Sequence, residues 1–316
     1  MKLWELLWRV DLTEKFVLQK FLCTFLQYSR EELRTNTDQE LSDEIIQKVL
    51  VAYKSYVEDK KPLEYILGHV DFFGREFFVN EATLIPRPET EYMINSVTEF
   101  IQGQGTRNEE QENSPKSQVP SPTFQNNLLL DIWTGCGVLG ISVLLQNPDY
   151  FTEVIFSDYF DNALQIAKKN YETLVKTYAW KVQFLHSDLL DFLVKWTSEF
   201  PDGTTVLVAN LPYIPEETFE ANVSDNVKKR EPKPAFVGGD DGLDYYRIML
   251  DQILQLQDAR SKEQVPGTWN LLPVTMFLEM MTWQVDVLRQ LYDHVFIFEE
   301  VKTFHFNIRI VKAYLK

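Results

Sequence analysis

The sequence predicts an α/β fold in two parts: a small N-terminal helical domain, then a mainly parallel sheet with helices on both faces. Apolar residues recur at helical spacing over residues 1 to about 60. After residue 127, apolar strands alternate with helical stretches, which is typical of a parallel sheet. A glycine-rich loop joins the first of those strands to a helix. A chain of 316 residues is long enough for two such domains.

The N-terminal part reads as a bundle of short helices, which we assign to residues 1–70. Two stretches have apolar residues three and four positions apart. They are Phe16, Val17, Phe21, Leu22, Phe25 and Leu26, then Ile45, Ile46, Val49, Leu50, Tyr53 and Val57. Thr37 followed by Glu40 predicts a capping box at the start of the second helix. No residue here suggests chemistry, so the domain is expected to present a surface.

The second domain, residues 71–316, opens with a predicted hairpin over residues 71–83. Aromatic, strand-like runs flank Gly74 there. Pro86 and Pro88 then bracket Arg87, which predicts a stiff extended segment. A helix is predicted from Glu89 to Phe100.

Residues 102–126 differ in composition, being rich in Gln, Asn, Glu, Ser, Pro and Gly. Such a segment predicts a flexible insertion within the domain, because apolar strands resume directly after it. The predicted strands share short apolar runs bounded by polar residues. They are Leu128–Ile132, Val154–Asp158, Val182–His186, Thr205–Ala209, Val274–Leu278, Val295–Phe298 and a β-rich run over Phe304–Tyr314. Ligands of such sheets bind at the carboxyl ends of the strands.

Composition limits the classes of partner. The formal net charge of −16 repels phosphate backbones, so no direct binding of free nucleic acid is expected. Cys23 and Cys136 form no C-x-x-C pair, and the four histidines lack ligand spacing, so no metal site is expected. The N-terminus lacks the apolar run of a signal peptide, and no stretch is long enough for a membrane span. We expect a cytoplasmic protein.

The glycine-rich loop follows the strand that ends at Asp131 and contains Gly135, Gly137 and Gly140 in the pattern G-x-G-x-x-G. Alone, that pattern fits nicotinamide cofactors as well. Asp158 ends the next strand, where a carboxylate accepts hydrogen bonds from ribose hydroxyls. Asp131 is expected to face a cationic methionine moiety, where a pyrophosphate would be repelled.

Asp188 ends the third strand, where a carboxylate can accept a hydrogen bond from an adenine amino group. Together with Asp131 and Asp158 it favours S-adenosylmethionine over a nicotinamide dinucleotide. The alternative is that the three are ordinary strand-end carboxylates that cap helices.

A second motif, Asn210-Leu211-Pro212-Tyr213, ends the fourth strand. An amide nitrogen is a poor nucleophile because its lone pair is delocalised into the carbonyl. The Asn210 side-chain carbonyl and the Leu211 backbone carbonyl can hold its two N–H groups, and Tyr213 can stack on its flat face. The motif therefore predicts methylation of a planar, conjugated nitrogen. The alternative is an ordinary turn at the end of a strand.

With these residues in place, the chain resembles the HemK/PrmC family of glutamine N5-methyltransferases. The resemblance runs through most of the sequence. Its segments are Lys61 through Gly68, the signature-like Leu84 through Glu91, Arg230-Glu231-Pro232, Ala235 through Leu243, and Leu278-Glu279 with Gln284.

The resemblance implies a Rossmann-like, seven-stranded class I methyltransferase sheet, with a helical domain that recognises the substrate. It implies S-adenosyl-L-methionine as cofactor and a peptide chain release factor as partner, methylated in its Gly-Gly-Gln loop. A ribosomal protein is the substrate of one sister branch. We expect a monomer.

The candidate site residues combine both lines of reasoning. The candidate catalytic residues are Asn210, Leu211, Pro212 and Tyr213. The candidate cofactor-binding residues are Arg87, Glu89, Asp131, Thr134, Gly135, Gly137, Asp158, Asp188, Leu189 and Asn210.

Three departures from the family pattern stand out. Leu211 replaces the first proline of Asn-Pro-Pro-Tyr, and Trp133 replaces the first glycine of the loop. The Asp and Gly that precede the family's C-terminal arginine are missing before Arg309. If the backbone at Trp133 touches the cofactor, the indole has to point away from it.

Two alternatives remain at this stage. Asn-Leu-Pro-Tyr also resembles rRNA adenine-N6 dimethyltransferases, so a nucleic-acid adenine-N6 methyltransferase is one. The negative charge and the Leu84 through Glu91 segment count against it. The other is a non-catalytic protein that binds release factors, with Trp133 closing the pocket.

Overall fold

The structure, a computed structural model, describes residues 2, 5, 12–112, 126–178, 180–194, 203–262, 274–301 and 308–316. Four helices open the described chain. They are α1 (Leu12–Leu26), α2 (Arg30–Thr35), α3 (Asp43–Val57) and α4 (Leu63–Leu67). Helix α1 packs along α3 through Val17, Phe21 and Ala52, all of them buried. This is the small helical bundle predicted from the apolar spacing.

The caps of these helices differ from the prediction. Helix α3 begins after Ser42, whose hydroxyl accepts a hydrogen bond from the Ile45 N–H at 3.3 Å. Thr37 lies five residues further upstream, too far to reach the first free N–H groups. A capping box does form at α2, between Ser29 and Glu32.

The predicted hairpin is present as β1 (His69–Phe72) and β2 (Arg75–Phe78). Phe73 and Gly74 turn the chain with φ of +47° and +70°, the pattern of a type I′ turn. Asn170 clasps the second strand, accepting from the Phe78 N–H at 2.7 Å and donating to its carbonyl at 2.9 Å. The hairpin is thereby fixed to the helix that carries Asn170.

A short 3₁₀ turn (Pro88–Thr90) leads into α5 (Glu91–Glu112). The helix continues through residues 102–112, where a flexible insertion was predicted. Met93, Ile94 and Val97 anchor its first half in the core. A helix nucleated in this way extends easily through Gln- and Glu-rich sequence. The rest of the predicted insertion, residues 113–125, lies outside the described residues.

The described strands β3 to β9 form a seven-stranded sheet in the order β5-β4-β3-β6-β7-β9-β8. Their bounds are β3 Asn127–Ile132, β4 Phe151–Asp158, β5 Lys181–His186, β6 Thr205–Ala209, β7 Val274–Met281, β8 Phe296–Val301 and β9 Ile308–Leu315. Strands β3 to β7 are parallel, and β9 is antiparallel to both of its neighbours. This confirms the predicted α/β class with a seven-stranded sheet.

Helices cover both faces of the sheet. The remaining ones are α6 Val138–Gln146, α7 Asp161–Leu174, α8 Asp191–Val194, α9 Glu216–Asn222, α10 Asp225–Arg230, α11 Asp244–Lys262 and α12 Thr282–Tyr292. On one face Leu250 and Leu288 belong to the buried core, and on the other Ile94 and Ile141 do. Within the described chain, no helix is both long and apolar enough to cross a membrane.

The strand order reverses between β3 and β6, so the connections leave these two strands in opposite directions. A crevice forms at such a switch point, beyond the carboxyl ends of the strands. The glycine-rich loop follows β3 and the Asn210 turn follows β6. The fold therefore brings the two predicted motifs to the same edge.

Candidate active site

A cavity of about 240 Å³ lies at this edge. The loop after β3, the end of β4, the turn after β6 and parts of segments 82–90 and 232–235 line it. Five predicted site residues line it: Thr134, Gly135, Asp158, Asn210 and Pro212. The cofactor motif and part of the catalytic motif thus face one space.

The glycine-rich loop is tight, with φ of +57° at Gly135 and +84° at Gly137. A Cβ at Gly135 would meet no described atom within 4 Å. A Cβ at Gly137 would lie 2.9 Å from Ile141, and Gly137 does not line the cavity. Gly135 leaves room for a ligand, whereas Gly137 allows the helix to pack closely.

Asp131 does not line the cavity, in contrast to its predicted role facing the cofactor. Its Oδ2 accepts hydrogen bonds from the Thr134 hydroxyl at 2.6 Å and from the Gly140 N–H at 2.9 Å. Burial raises the pKa of this carboxyl to about 7. Asp131 therefore ties the two ends of the loop together.

Asp158 does line the cavity, at the end of β4. Its Oδ2 accepts from the Gly135 N–H and its Oδ1 from the Phe160 N–H, both at 2.9 Å. Burial raises the pKa of Asp158, and these backbone bonds oppose that shift. Each carboxylate oxygen has a further lone pair, so the group can still accept hydrogen bonds from a ligand.

Trp133 adopts the left-handed conformation, with φ of +54°, which favours glycine. Its indole lines the cavity and packs against the Tyr245 ring, with a centroid separation of 4.5 Å. Its Nε1 is buried and has no hydrogen-bond partner among the described residues. The fold accommodates the tryptophan by packing it onto α11.

The other predicted cofactor residues, Arg87, Glu89, Asp188 and Leu189, do not line the cavity. Arg87 forms an ion pair with buried Glu231, with Nη2 to Oε1 at 2.8 Å. Glu89 lies near enough to raise the pKa of buried Glu279. Asp188 is exposed, and Leu189 is buried in the core.

The turn after β6 presents Asn210 and Pro212 to the cavity, but not Leu211 or Tyr213. The Asn210 Nδ2 donates to the Thr90 hydroxyl at 3.3 Å. The Leu211 carbonyl, predicted to hold the substrate amide, accepts from the Tyr246 hydroxyl at 3.2 Å. A carbonyl has two lone pairs, so one acceptor position remains.

Tyr213 was predicted to stack on the substrate, but it lies behind the turn. Its hydroxyl donates to Glu279 Oε1 at 3.0 Å, and its carbonyl accepts from Gln284 Nε2 at 2.8 Å. Burial, with the Glu279 carboxyl, raises the pKa of Tyr213 well above its usual value. Tyr213 is therefore a neutral donor that anchors the turn.

The glycines of segment 235–243 lie against the turn that follows β6. A Cβ at Gly238 would lie 2.2 Å from the Pro212 carbonyl oxygen, and one at Gly242 would lie 2.1 Å from that of Tyr213. The Ile214 N–H also donates to the Phe236 carbonyl at 2.8 Å. The backbone of this segment is thus packed directly against the catalytic turn.

Several residues of the site were not predicted as such. Thr90, Phe160 and Asn162 line the cavity, while Glu279 and Gln284 hold the turn from behind. Phe160 and Asn162 lie two and four residues after Asp158, so their position in the sequence was an available signal. Glu279 lies in a segment that carries the family resemblance, but the sequence alone assigns it no role, because the role of an acidic residue within an apolar strand depends on its neighbours in the fold.

Comparison with known proteins shows which family the chain resembles. No family model matches it. It is 36% identical over 232 residues to the release factor glutamine methyltransferase of Bacillus anthracis, covering 73% of this chain and 72% of that protein. It is 31% identical over 229 residues to the protein of that name from Clostridium acetobutylicum, covering 72% and 70%.

Among solved structures, the hMettl16 catalytic domain in complex with a 3′UTR hairpin is similar in fold. Its TM-score is 0.50 and its identity 14%, over 93% of this chain and 91% of that one. This likeness shows a shared fold. The chain belongs to the release factor glutamine methyltransferase family.

Proposed function

We propose that this chain transfers the methyl group of S-adenosyl-L-methionine to the side-chain amide nitrogen of a glutamine in a peptide chain release factor. The observation that carries the proposal is the shared cavity. The glycine-rich loop, Asp158 and the Asn210 turn open onto one space, in a chain whose relatives are release factor glutamine methyltransferases.

The residues present fit the cofactor. Gly135 leaves open space in the cavity wall, and Asp158 retains acceptor capacity for ribose hydroxyls. Thr134 and Asn210 add polar groups to the lining, while Asp131 and Gly137 keep the glycine-rich loop in shape. S-adenosylmethionine, when bound, would supply an electrophilic methyl group on a sulfonium sulfur, and this sulfur would leave as a neutral thioether when a nitrogen lone pair attacks the methyl carbon.

Asn210 is the group that holds the target amide. Its Nδ2 is turned to Thr90, so its Oδ1 is available to accept an N–H of the substrate. This acceptor aims the nitrogen and stabilises the positive charge that grows on it. The nitrogen gains a bond to the methyl carbon as the carbon–sulfur bond breaks with its electron pair left on sulfur, and the nitrogen gives up one proton to water.

The substrate docks in a second, larger cleft. A space of about 1130 Å³ separates α1 and α2 from the hairpin and segment 85–91, and Pro86 lines both this cleft and the smaller cavity. The helical wall carries four basic side chains: Lys15, Lys20, Arg30 and Arg34. We infer that residues 1–70 recognise the release factor here, in the cytoplasm and as a monomer.

The test measures transfer of labelled methyl from S-adenosylmethionine to two acceptors, a class I release factor and ribosomal RNA. Label in the release factor alone is expected. Label in the RNA alone would contradict the proposal and favour the alternative, a nucleic-acid adenine-N6 methyltransferase. Titration calorimetry of folded protein with S-adenosylmethionine runs in parallel, and absence of binding would support the non-catalytic alternative.

A further inference from the structure

A buried carboxyl group lies directly behind the catalytic turn, and the proposed reaction has not used it. Glu279, near the end of β7, is 1% exposed. Its Oε1 accepts from Tyr213. Its Oε2 is buried and makes no well-oriented hydrogen bond to the described residues. A buried carboxylate oxygen without a hydrogen-bond partner lowers the stability of the fold.

The neighbours of Glu279 lead to Asn210. Burial raises the pKa of the Glu279 carboxyl to about 7, and the polar side chains of Thr90, Tyr213 and Asn210 lie near enough to oppose that rise. Thr90 is 2% exposed, and its hydroxyl oxygen accepts from Asn210 Nδ2 at 3.3 Å. That hydroxyl has one proton to donate, and the nearby carboxylate is the strong acceptor.

A carboxamide carries donors on one side and an acceptor on the other, so its orientation decides what a substrate meets. Methylation of an amide nitrogen requires the acceptor side, because the substrate offers N–H groups. With the opposite orientation, Asn210 would present its own N–H groups to them and repel the substrate.

We propose that Thr90 and Glu279 are positioning residues that draw the N–H side of the Asn210 carboxamide away from the cavity and so turn its carbonyl oxygen toward the substrate. This inference rests on the proposed function for its catalytic consequence. The orientation itself is a property of the free protein. The proposal also assigns a role to the Leu84 through Glu91 segment, because this segment contains Thr90 and places its hydroxyl next to Asn210.

The pair is expected to respond to pH. The titratable groups around Glu279 are Glu89 from the 3₁₀ turn, Tyr213 from the catalytic turn and Tyr246 from α11. Above pH 7 the carboxylate accepts hydrogen bonds, whereas below it the protonated group loses acceptor capacity. The orienting effect should therefore be present at high pH and fade as the pH falls through 7.

The first test needs no substrate. In protein labelled with ¹⁵N at asparagine side chains, the Asn210 signals are assigned by their loss in Asn210→Asp. We expect their shifts to titrate near pH 7 and the titration to vanish in Glu279→Gln. Signals unaffected by both Glu279→Gln and Thr90→Val would overturn the proposal. Because this test uses the free protein, its outcome stands even if the proposed reaction fails.

The second test measures turnover on the release factor. Thr90→Val removes the hydroxyl at constant shape and should lower kcat roughly tenfold, the effect of about one hydrogen bond, with little change in KM. Thr90→Ser should recover most of that loss. The wild-type kcat should rise through pH 7, and Glu279→Gln should abolish that rise.

Matched controls separate positioning from general destabilisation. Thr98→Val removes a partly buried hydroxyl on α5, the helix that follows the 3₁₀ turn of Thr90, and this hydroxyl bonds Ile94 and Asn147 instead. Glu153→Gln neutralises a buried carboxylate that is paired with Lys181. Glu153 lies on β4, near the end of the strand that is away from Asp158 and the cavity. Both should leave kcat within twofold of wild type. A loss in the controls equal to that in Thr90→Val would overturn the positioning role.

Discussion

The two walls of the cavity are held in place in different ways. In the glycine-rich loop, the Asp131 bonds to Thr134 and Gly140 span three and nine residues, and the bond from Gly135 to Asp158 spans 23. At the catalytic turn, the bond from Asn210 to Thr90 spans 120 residues and that from Gln284 to Tyr213 spans 71. The first wall is built locally, and the second is assembled by the fold.

This difference has a functional consequence. A local loop keeps its shape through its own bonds, so single changes there should act on cofactor affinity. A turn held by distant segments depends on the whole domain, so changes in its partners should act on turnover or stability. Substitutions at the two walls are therefore expected to separate effects on cofactor affinity from effects on turnover and stability.

The largest effect is expected at Asn210. Asn210→Ala removes the amide acceptor and should lower kcat by roughly 10²–10³-fold, as for loss of one preorganised hydrogen-bonding group. Titration calorimetry should show the affinity for S-adenosylmethionine nearly unchanged, because the loop wall is intact. Turnover equal to wild type would contradict the amide-holding role.

A change in a partner segment should act through the turn. In Gly242→Ala, the new Cβ would lie 2.1 Å from the Tyr213 carbonyl oxygen, at a φ of +73°. We expect a loss of about 1–3 kcal/mol in the free energy of unfolding, because the backbones must separate. Denaturant unfolding measures it, and turnover should fall as well.

Gly74→Ala is the matched control for that change. Gly74 has a similar φ of +70°, but a Cβ there meets no described atom within 4 Å. It should cost only the left-handed strain, roughly 1 kcal/mol. Equal losses in the two variants would show that contact with the turn is not what makes Gly242 necessary.

On the loop wall, the expected effect is on affinity. Asp158→Ala removes the carboxylate from the cavity and should weaken S-adenosylmethionine binding by about 1–3 kcal/mol, the range for charge-assisted hydrogen bonds. Asp161→Ala, at an exposed position on α7, is the charge-matched control and should bind as wild type. No change in Asp158→Ala would mean that the ribose site lies elsewhere.

The smallest effect is expected at Trp133. Trp133→Gly loses the packing on Tyr245 but gains a residue suited to a φ of +54°. These terms oppose each other, so the net loss of stability should be about 1–2 kcal/mol, with affinity for S-adenosylmethionine within tenfold. Binding that appears only in Trp133→Gly would mean that the indole closes the cavity.

The difference between contacts that are close in sequence and contacts between distant segments also explains which features could be predicted from the sequence. The strands, the hairpin and the glycine-rich loop follow from patterns within a few residues, and the structure confirms them. Asp158 was recognisable because a strand-end carboxylate after such a loop has a known place in the fold. The Asn210 turn was recognisable as a motif.

Long-range contacts could not be predicted. The sequence gives Asp131 a strand-end position, but its burial under Thr134 and Gly140 appears only in the folded loop. The Tyr213 side chain turns from the cavity because Glu279 lies behind it, 66 residues away. Arg87 is drawn off by Glu231 from a segment 144 residues away. Each of these placements depends on which segments meet.

The most direct test of the account locates the methyl group itself. A class I release factor is incubated with S-adenosylmethionine and the wild-type chain, and tandem mass spectrometry then maps the modified residue. A single methyl group on the glutamine of the Gly-Gly-Gln loop is predicted, with none after incubation with Asn210→Ala. A methyl group on another residue, or the same yield from Asn210→Ala, would contradict the account.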